Sequence, residues 1–144
     1  MSTFEISELK TDGAIEKAYP VLAELRPHLR AEAFVEQVRL QQREGYRLIG
    51  GFVAGRLVAA AGFRIGRTLS RGQHLFVDDL VTTTSEQGKG YGAAMLKYLG
   101  EMARAEGITK IWLDSRDTAR TFYEKVGFSV HTSLPCWIEV ERLG

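Results

Sequence analysis

Six consecutive residues, Gln87-Gly88-Lys89-Gly90-Tyr91-Gly92, carry the sharpest chemical signal in this 144-residue chain. They lie between a strand-like segment and a helix-like one. Glycines in such a place let the backbone approach a ligand closely, and amides at a helix start attract phosphate. Lys89 adds a positive charge. A glycine-rich turn that holds nothing is the plain alternative for the loop taken alone. A second feature lies just upstream. Asp78 and Asp79 interrupt an otherwise apolar run, Leu75-Phe-Val-Asp-Asp-Leu-Val81. A charge inside a central strand is costly without a partner. These carboxylates therefore pair with arginines, cap a helix or serve a reaction. Strand side chains alternate, so one aspartate faces each side unless a bulge intervenes.

Other chemistries find less support. No Gly-x-x-x-x-Gly-Lys-Ser/Thr pattern exists, which excludes a P-loop. Gly88-x-Gly90-x-x-Ala93 matches a loose dinucleotide fingerprint, with Asp114 near the expected distance. Against it, six residues, Thr82–Gln87, intervene where that turn must be tight, and only 30 residues follow Asp114. His28, His74 and His131 show no metal-ligand spacing, so no metal is expected. Cys136 is the single cysteine, which precludes an internal disulfide, and no His or basic cluster adjoins it to make it a nucleophile. A net charge of +1 gives no global push toward nucleic acid or an anionic membrane. The first residues, MSTFEISELK, lack a signal-peptide run, and no stretch has the apolar length of a membrane span. The expectation is a cytoplasmic protein with one domain, residues 1–144, around one core.

The elements that must position these groups follow from periodicity. Phe4–Leu9 reads as a strand. Thr11 or Asp12 caps a helix with Ile15, Ala18, Tyr19, Leu22 and Leu25 on one stripe. Pro27 interrupts, and a second helix runs from about Ala31 to Glu44, stopped by Gly45. Strands Arg47–Val53 and Arg56–Ile65 meet around Ala54-Gly55 as a hairpin. A strand His74–Val81 leads into the glycine loop and a helix Gly90–Glu106, with Tyr91, Met95, Tyr98, Leu99 and Met102 facing inward. Lys110–Leu113 is a short buried strand. A short helix carries Ala119, Phe122, Tyr123 and Val126, and Gly127 ends it. Trp137–Arg142 closes the sheet, with a further strand near Phe128–His131. Trp112 and Trp137 read as core residues. The class is α/β (α+β): a mixed sheet of six to seven strands with four helices on its faces. His74–Val81 and Lys110–Leu113 are expected as parallel neighbours, joined by the long helix as crossover.

The loop resembles the signature of the GNAT superfamily of N-acetyltransferases, Gln/Arg-x-x-Gly-x-Gly/Ala, through Gln87, Gly90 and Gly92. The stretch Ala119-Arg-Thr-Phe122-Tyr123-Glu-Lys-Val-Gly127-Phe128 resembles that family's second motif. The resemblance spans nearly the whole chain and implies a GNAT-like fold and an acetyl-CoA-dependent N-acetyltransferase. It implies that pyrophosphate lies on the amides of Gly88, Lys89, Gly90, Tyr91 and Gly92. The pantetheine arm would pair with the backbone of Leu80, Val81 and Thr82. Tyr123 would be the acid toward sulfur. Asp78 or Asp79 would act on the amine acceptor, a small molecule or peptide. Arg26-Pro27-His28 lies between the two helices that border the acceptor groove in this family, and also reads as a simple connection. Members of the family often form homodimers. One position departs: Arg116 stands where many members carry Asn. A non-catalytic acyl-CoA sensor is the alternative from another class, and a nucleotide-binding regulatory domain a weaker one.

Overall fold

The computed structural model describes residues 3–131 and 133–144. It falls into two compact units, Met1–Asp114 and Ser115–Gly144. In the first, the order is β1 (Phe4–Glu8), α1 (Asp12–Leu25), α2 (Ala31–Arg43), β2 (Tyr46–Val53), β3 (Arg56–Thr68), β4 (Gly72–Thr82), α3 (Tyr91–Ala105) and β5 (Ile111–Leu113). The second holds α4 (Arg120–Val126) between two short 3-10 turns.

Local signals set the boundaries. Thr11 caps α1, its hydroxyl accepting from the Ala14 amide at 3.1 Å. At the β2–β3 turn both Ala54 (φ +51°) and Gly55 (φ +77°) are left-handed, the conformation that a two-residue hairpin turn requires. The five strands lie in spatial order β1-β2-β3-β4-β5. The first four pair antiparallel, and β4 and β5 pair parallel, as expected from the crossover length.

Side chains of the sheet sort to two faces. Leu48, Leu57 and Ala60 join Ile15, Ala18, Leu22, Phe34 and Val38 of α1 and α2 in one core cluster. Ile49, next along β2, points the other way. Gly51 shares that second face, where a Cβ would crowd Met95 of α3. β3 is covered on both sides, and Val58, Ala59, Ala60 and Ala61 are all fully buried. Burial along α3 falls on Met95, Leu96, Leu99 and Ala103, leaving Tyr98 and Met102 half-buried on the flank of the expected stripe.

The sheet among the described residues has five strands, not six to seven. Neither Phe128–His131 nor Trp137–Arg142 is a strand; Val140–Leu143 instead forms a 3-10 turn. A strand needs a neighbour to satisfy its backbone. Among its described residues the Ser115–Gly144 unit contains no strand. Its apolar residues accordingly stay in solvent: Trp137, expected in the core, is 84% exposed, and Leu134, Val140 and Leu143 are exposed too.

Candidate active site

β4 organises the site. Opposite β3, Val77 faces Phe63 and Asp79 faces Gly62, so Asp78 is an extra residue in a β-bulge. The bulge breaks the alternation that would have sent the aspartates to opposite faces. Both line one cavity of about 800 Å³ bounded by α1, α2 and strands β2, β3 and β4.

Both carboxylates are ion-paired there. Arg64 of β3 donates to Asp78 through Nε and Nη2, each at 2.7 Å, a bidentate fork. Arg26, just past α1, donates from Nε to Asp79 Oδ1 at 3.1 Å and from Nη2 to the Asp78 carbonyl at 2.9 Å. The second oxygen of Asp79 accepts from the Tyr46 hydroxyl at 2.8 Å. Burial, then the charges of Asp79 and Asp78, push the Tyr46 phenol well above its ordinary range, so it remains a donor. Tyr46 reaches Asp79 by lying across Gly62, where any Cβ would collide with its ring and hydroxyl. Arg64, Tyr46 and Gly62 were not singled out from the sequence. Their partners lie 14 to 33 residues away, and no local pattern marks them.

The edge of β4 toward β5 is only partly used. Their register runs Leu75↔Ile111, Phe76↔Trp112 and Val77↔Leu113, and ends there. From Asp78 to Thr82 the strand continues with pairing on its β3 side alone. That exposed stretch contains Leu80, Val81 and Thr82.

Beyond it comes the glycine loop. Glu24 of α1 clasps the chain at its start, accepting from Thr83 Oγ1, Thr84 Oγ1 and the Thr84 amide. These hydrogen bonds hold the Glu24 carboxyl below its ordinary range, against a smaller opposing effect of burial. The Gln87 side chain donates to the Thr82 carbonyl at 3.1 Å, bracing the turn. Gly88 (φ +82°) and Gly90 (φ +86°) are both left-handed, and a Cβ on either would meet nothing within 4 Å. Glycine is thus required here by backbone conformation, and the space beside it stays open. Gly90 is the N-cap of α3, whose first amides have no carbonyl one turn earlier to bond. The residues therefore fit an anionic group resting on the backbone. Lys89 is engaged: its ammonium meets Glu86 at 2.5 Å, and Glu86 also takes Arg56 at 2.7 Å.

In the second unit, Tyr123 sits on α4, edge-on to Phe122 and Phe128. It is half-buried, and that burial raises its phenol above the ordinary range, so it is protonated at neutral pH. Gly127 (φ +122°) closes the helix, its amide bonding the Tyr123 carbonyl at 3.1 Å. Cys136 is exposed. Among the described residues no three His, Cys, Asp or Glu side chains gather to hold a metal ion, and no helix is long and apolar enough to cross a membrane.

The site thus consists of a bulged strand, half-paired to a parallel neighbour, that runs into a glycine loop at a helix start. The model of the acetyltransferase (GNAT) family matches residues 14–128, and the chain belongs to that family. The chain is 31% identical over 123 residues to an uncharacterized N-acetyltransferase, YhdJ, of Bacillus subtilis, covering 82% of this chain and 87% of that one. It is 37% identical over 79 residues to a glucosamine 6-phosphate N-acetyltransferase of Trypanosoma brucei brucei, about half of each chain (54%). The crystal structure of a Trypanosoma brucei acetyltransferase superimposes with a TM-score of 0.79 at 26% identity, covering 95% of this chain and all of that one. The protein is thus an N-acetyltransferase.

Proposed function

We propose that this enzyme moves acetyl from acetyl-CoA to a primary amine by direct attack within a ternary complex. The observation that carries the reading is the end of β4–β5 pairing at Val77. It leaves one strand bearing, in succession, two carboxylates, an edge with hydrogen-bonding capacity to spare, and the open glycine cradle. The family model runs across the boundary between the two units, which supports their acting as one domain.

In this reading the backbone of Leu80, Val81 and Thr82 takes the pantetheine arm as an added strand. The amides from Gly88 to Gly92 hold the pyrophosphate. A lysine-type amine has a pKa of about 10.4 and reaches the site mostly protonated. Asp78, more exposed than Asp79, attracts the ammonium and accepts its proton or passes it to water. Its oxygens each accept from Arg64, yet a carboxylate has about four acceptor sites, so capacity remains. The amine nitrogen then bonds to the acetyl carbon and releases its second proton to solvent, the carbon–sulfur bond breaks, and Tyr123 gives the departing sulfur its phenol proton. Tyr123 regains a proton from solvent, and an amide and CoA leave. The acceptor enters through the cavity beside Asp78. Its relatives' named activities include acetylation of an amino sugar phosphate, so small-molecule amines head the panel.

CoA release measured over amines tests this reading. Tyr123→Phe keeps the ring and removes the hydroxyl. We expect kcat to fall roughly tenfold to a thousandfold, within what general acids contribute, with acetyl-CoA affinity little changed. Wild-type kcat under chemistry-limited conditions would reduce Tyr123 to a packing residue.

A further inference from the structure

The cavity beside Asp78 carries more than an acid–base group. Every carboxylate oxygen of the aspartate pair already accepts a hydrogen bond: both of Asp78 from Arg64, and those of Asp79 from Arg26 and Tyr46. The arginines are not used up in the same way. A guanidinium has five N–H donors. Arg26 spends two, on Asp79 Oδ1 and the Asp78 carbonyl, and Arg64 spends two, both on Asp78. Three donors on each, including the whole Nη1 group, have no partner among the described residues.

The cations are also the outer members. The side chains of Arg64 and Arg26 are 52% and 36% exposed, against 26% and 16% for Asp78 and Asp79. A molecule entering the cavity meets guanidinium before carboxylate. Both guanidiniums are fixed in advance. Each is anchored to the same two-residue bulge, and Arg64 also lies over the Phe76 ring at 5.6 Å. A pinned planar fork loses little freedom on meeting a carboxylate or phosphate. His28, Arg30 and Glu44 line the same cavity, and Arg30 is paired with Glu32.

Given the reading of this cavity as the acceptor site, we propose that its substrates are amines that also bear an anionic group, carboxylate or phosphate, held by the outward N–H groups of Arg26 and Arg64. The amine must reach the stretch Leu80–Thr82, while the arginines gather at Asp78 and Asp79. Asp78 must reach the amine as well, so amine and anion belong to one small acceptor. The backing aspartates offset the two cations, so the specificity comes from directed, charge-assisted hydrogen bonds.

Matched acceptor pairs test this: glucosamine 6-phosphate with glucosamine, and Nα-acetyl-lysine with its uncharged C-terminal amide. Each is assayed for CoA release, and for equilibrium binding by calorimetry in the presence of CoA, where no turnover occurs. The anionic member of at least one pair should win in kcat/KM and in affinity, and the pair that does so separates phosphate from carboxylate. Arg64→Gln should shrink that ratio roughly 10- to 100-fold, the worth of a hydrogen bond to a charged group. Arg64→Lys keeps a positive charge opposite Asp78 should the Gln variant not fold. Loss of the fork alone should lower the ratio about threefold or more. Equal or better handling of the members without the anionic group in both assays, or ratios that neither variant changes, would overturn the anionic subsite and leave acetyl transfer standing. Arg64-dependent binding of an anionic amine with no acetylation of any acceptor would do the reverse.

Discussion

The cavity beside Asp78 and the glycine loop sit on one strand's continuation, yet they are built by opposite means. The loop is a backbone device, made by two left-handed glycines and the amides of a helix start within six residues. The cavity is a side-chain device. Arg26, Tyr46, Arg64, Asp78 and Asp79 come from four segments of the chain and meet through hydrogen bonds at 2.7–3.1 Å. A backbone device keeps its shape if neighbouring side chains change but fails when its own dihedrals do. A side-chain network behaves the other way round.

The glycines break the comparison open most sharply. Gly62→Val places bulk where the Tyr46 ring lies, and the phenol must leave Asp79. Overpacking of this kind costs about 1–3 kcal/mol, and a severed buried hydrogen bond adds about 1 kcal/mol or more. Gly90→Ala meets no atom and should cost only about 1–2 kcal/mol of backbone strain. Chemical denaturation of the two variants reads the difference directly. Equal losses would mean that the loop is crowded or that the Tyr46 network is slack.

The aspartates sharpen it at the next scale. Asp78→Asn should lower kcat/KM for the amine by about tenfold or more, as for a general base, and the loss should shrink at high pH, where more amine is already neutral. Asp79→Asn should show mainly as lost stability, since Arg26 then faces no carboxylate in a half-buried setting. The opposite pattern assigns the roles the other way, and full activity in a folded double variant removes both from the chemistry.

The Glu24 clasp gives the smallest effect. Its carboxyl is held below its ordinary value near 4.5. A group whose pKa is depressed by folding adds stability above its unfolded pKa, and that stability is lost as pH falls through the folded value. The gap between wild type and Glu24→Gln in urea unfolding, at most about 1 kcal/mol for so exposed a site, should be present at pH 7 and close as pH falls below 4.5. A gap independent of pH would mean that charge is not what the threonines recognise.

What could be read from the sequence divides along the same line. The loop was legible because its residues are neighbours: glycine spacing reports dihedrals, and dihedrals are local. Helices α1, α2 and α3 were legible for the same reason, through caps and 3.6-residue stripes. Asp78 and Asp79 stood out as charges in an apolar run, but their shared face did not, because a bulge is set by what lies opposite on β3. Arg64 and Tyr46 gave no signal, since an arginine or tyrosine in a strand looks the same with or without a partner. The pattern at Trp137–Arg142 misled. Alternating apolar residues describe a strand that has an edge to join, and among the described residues its own unit has none.

The half-paired edge of β4 has a cost as well as a use. An unpaired sheet edge will accept an extended chain, including that of another molecule, which is how sheets aggregate. Here the bulge at Asp78 kinks and twists the edge just where its pairing with β5 stops, and the Asp78–Arg64 ion pair adds charge beside it. A regular strand laid along it would lose register at the bulge. A slender chain with few polar groups would not. The irregularity that turns two carboxylates to one side is thus also a device by which sheets guard a sticky edge.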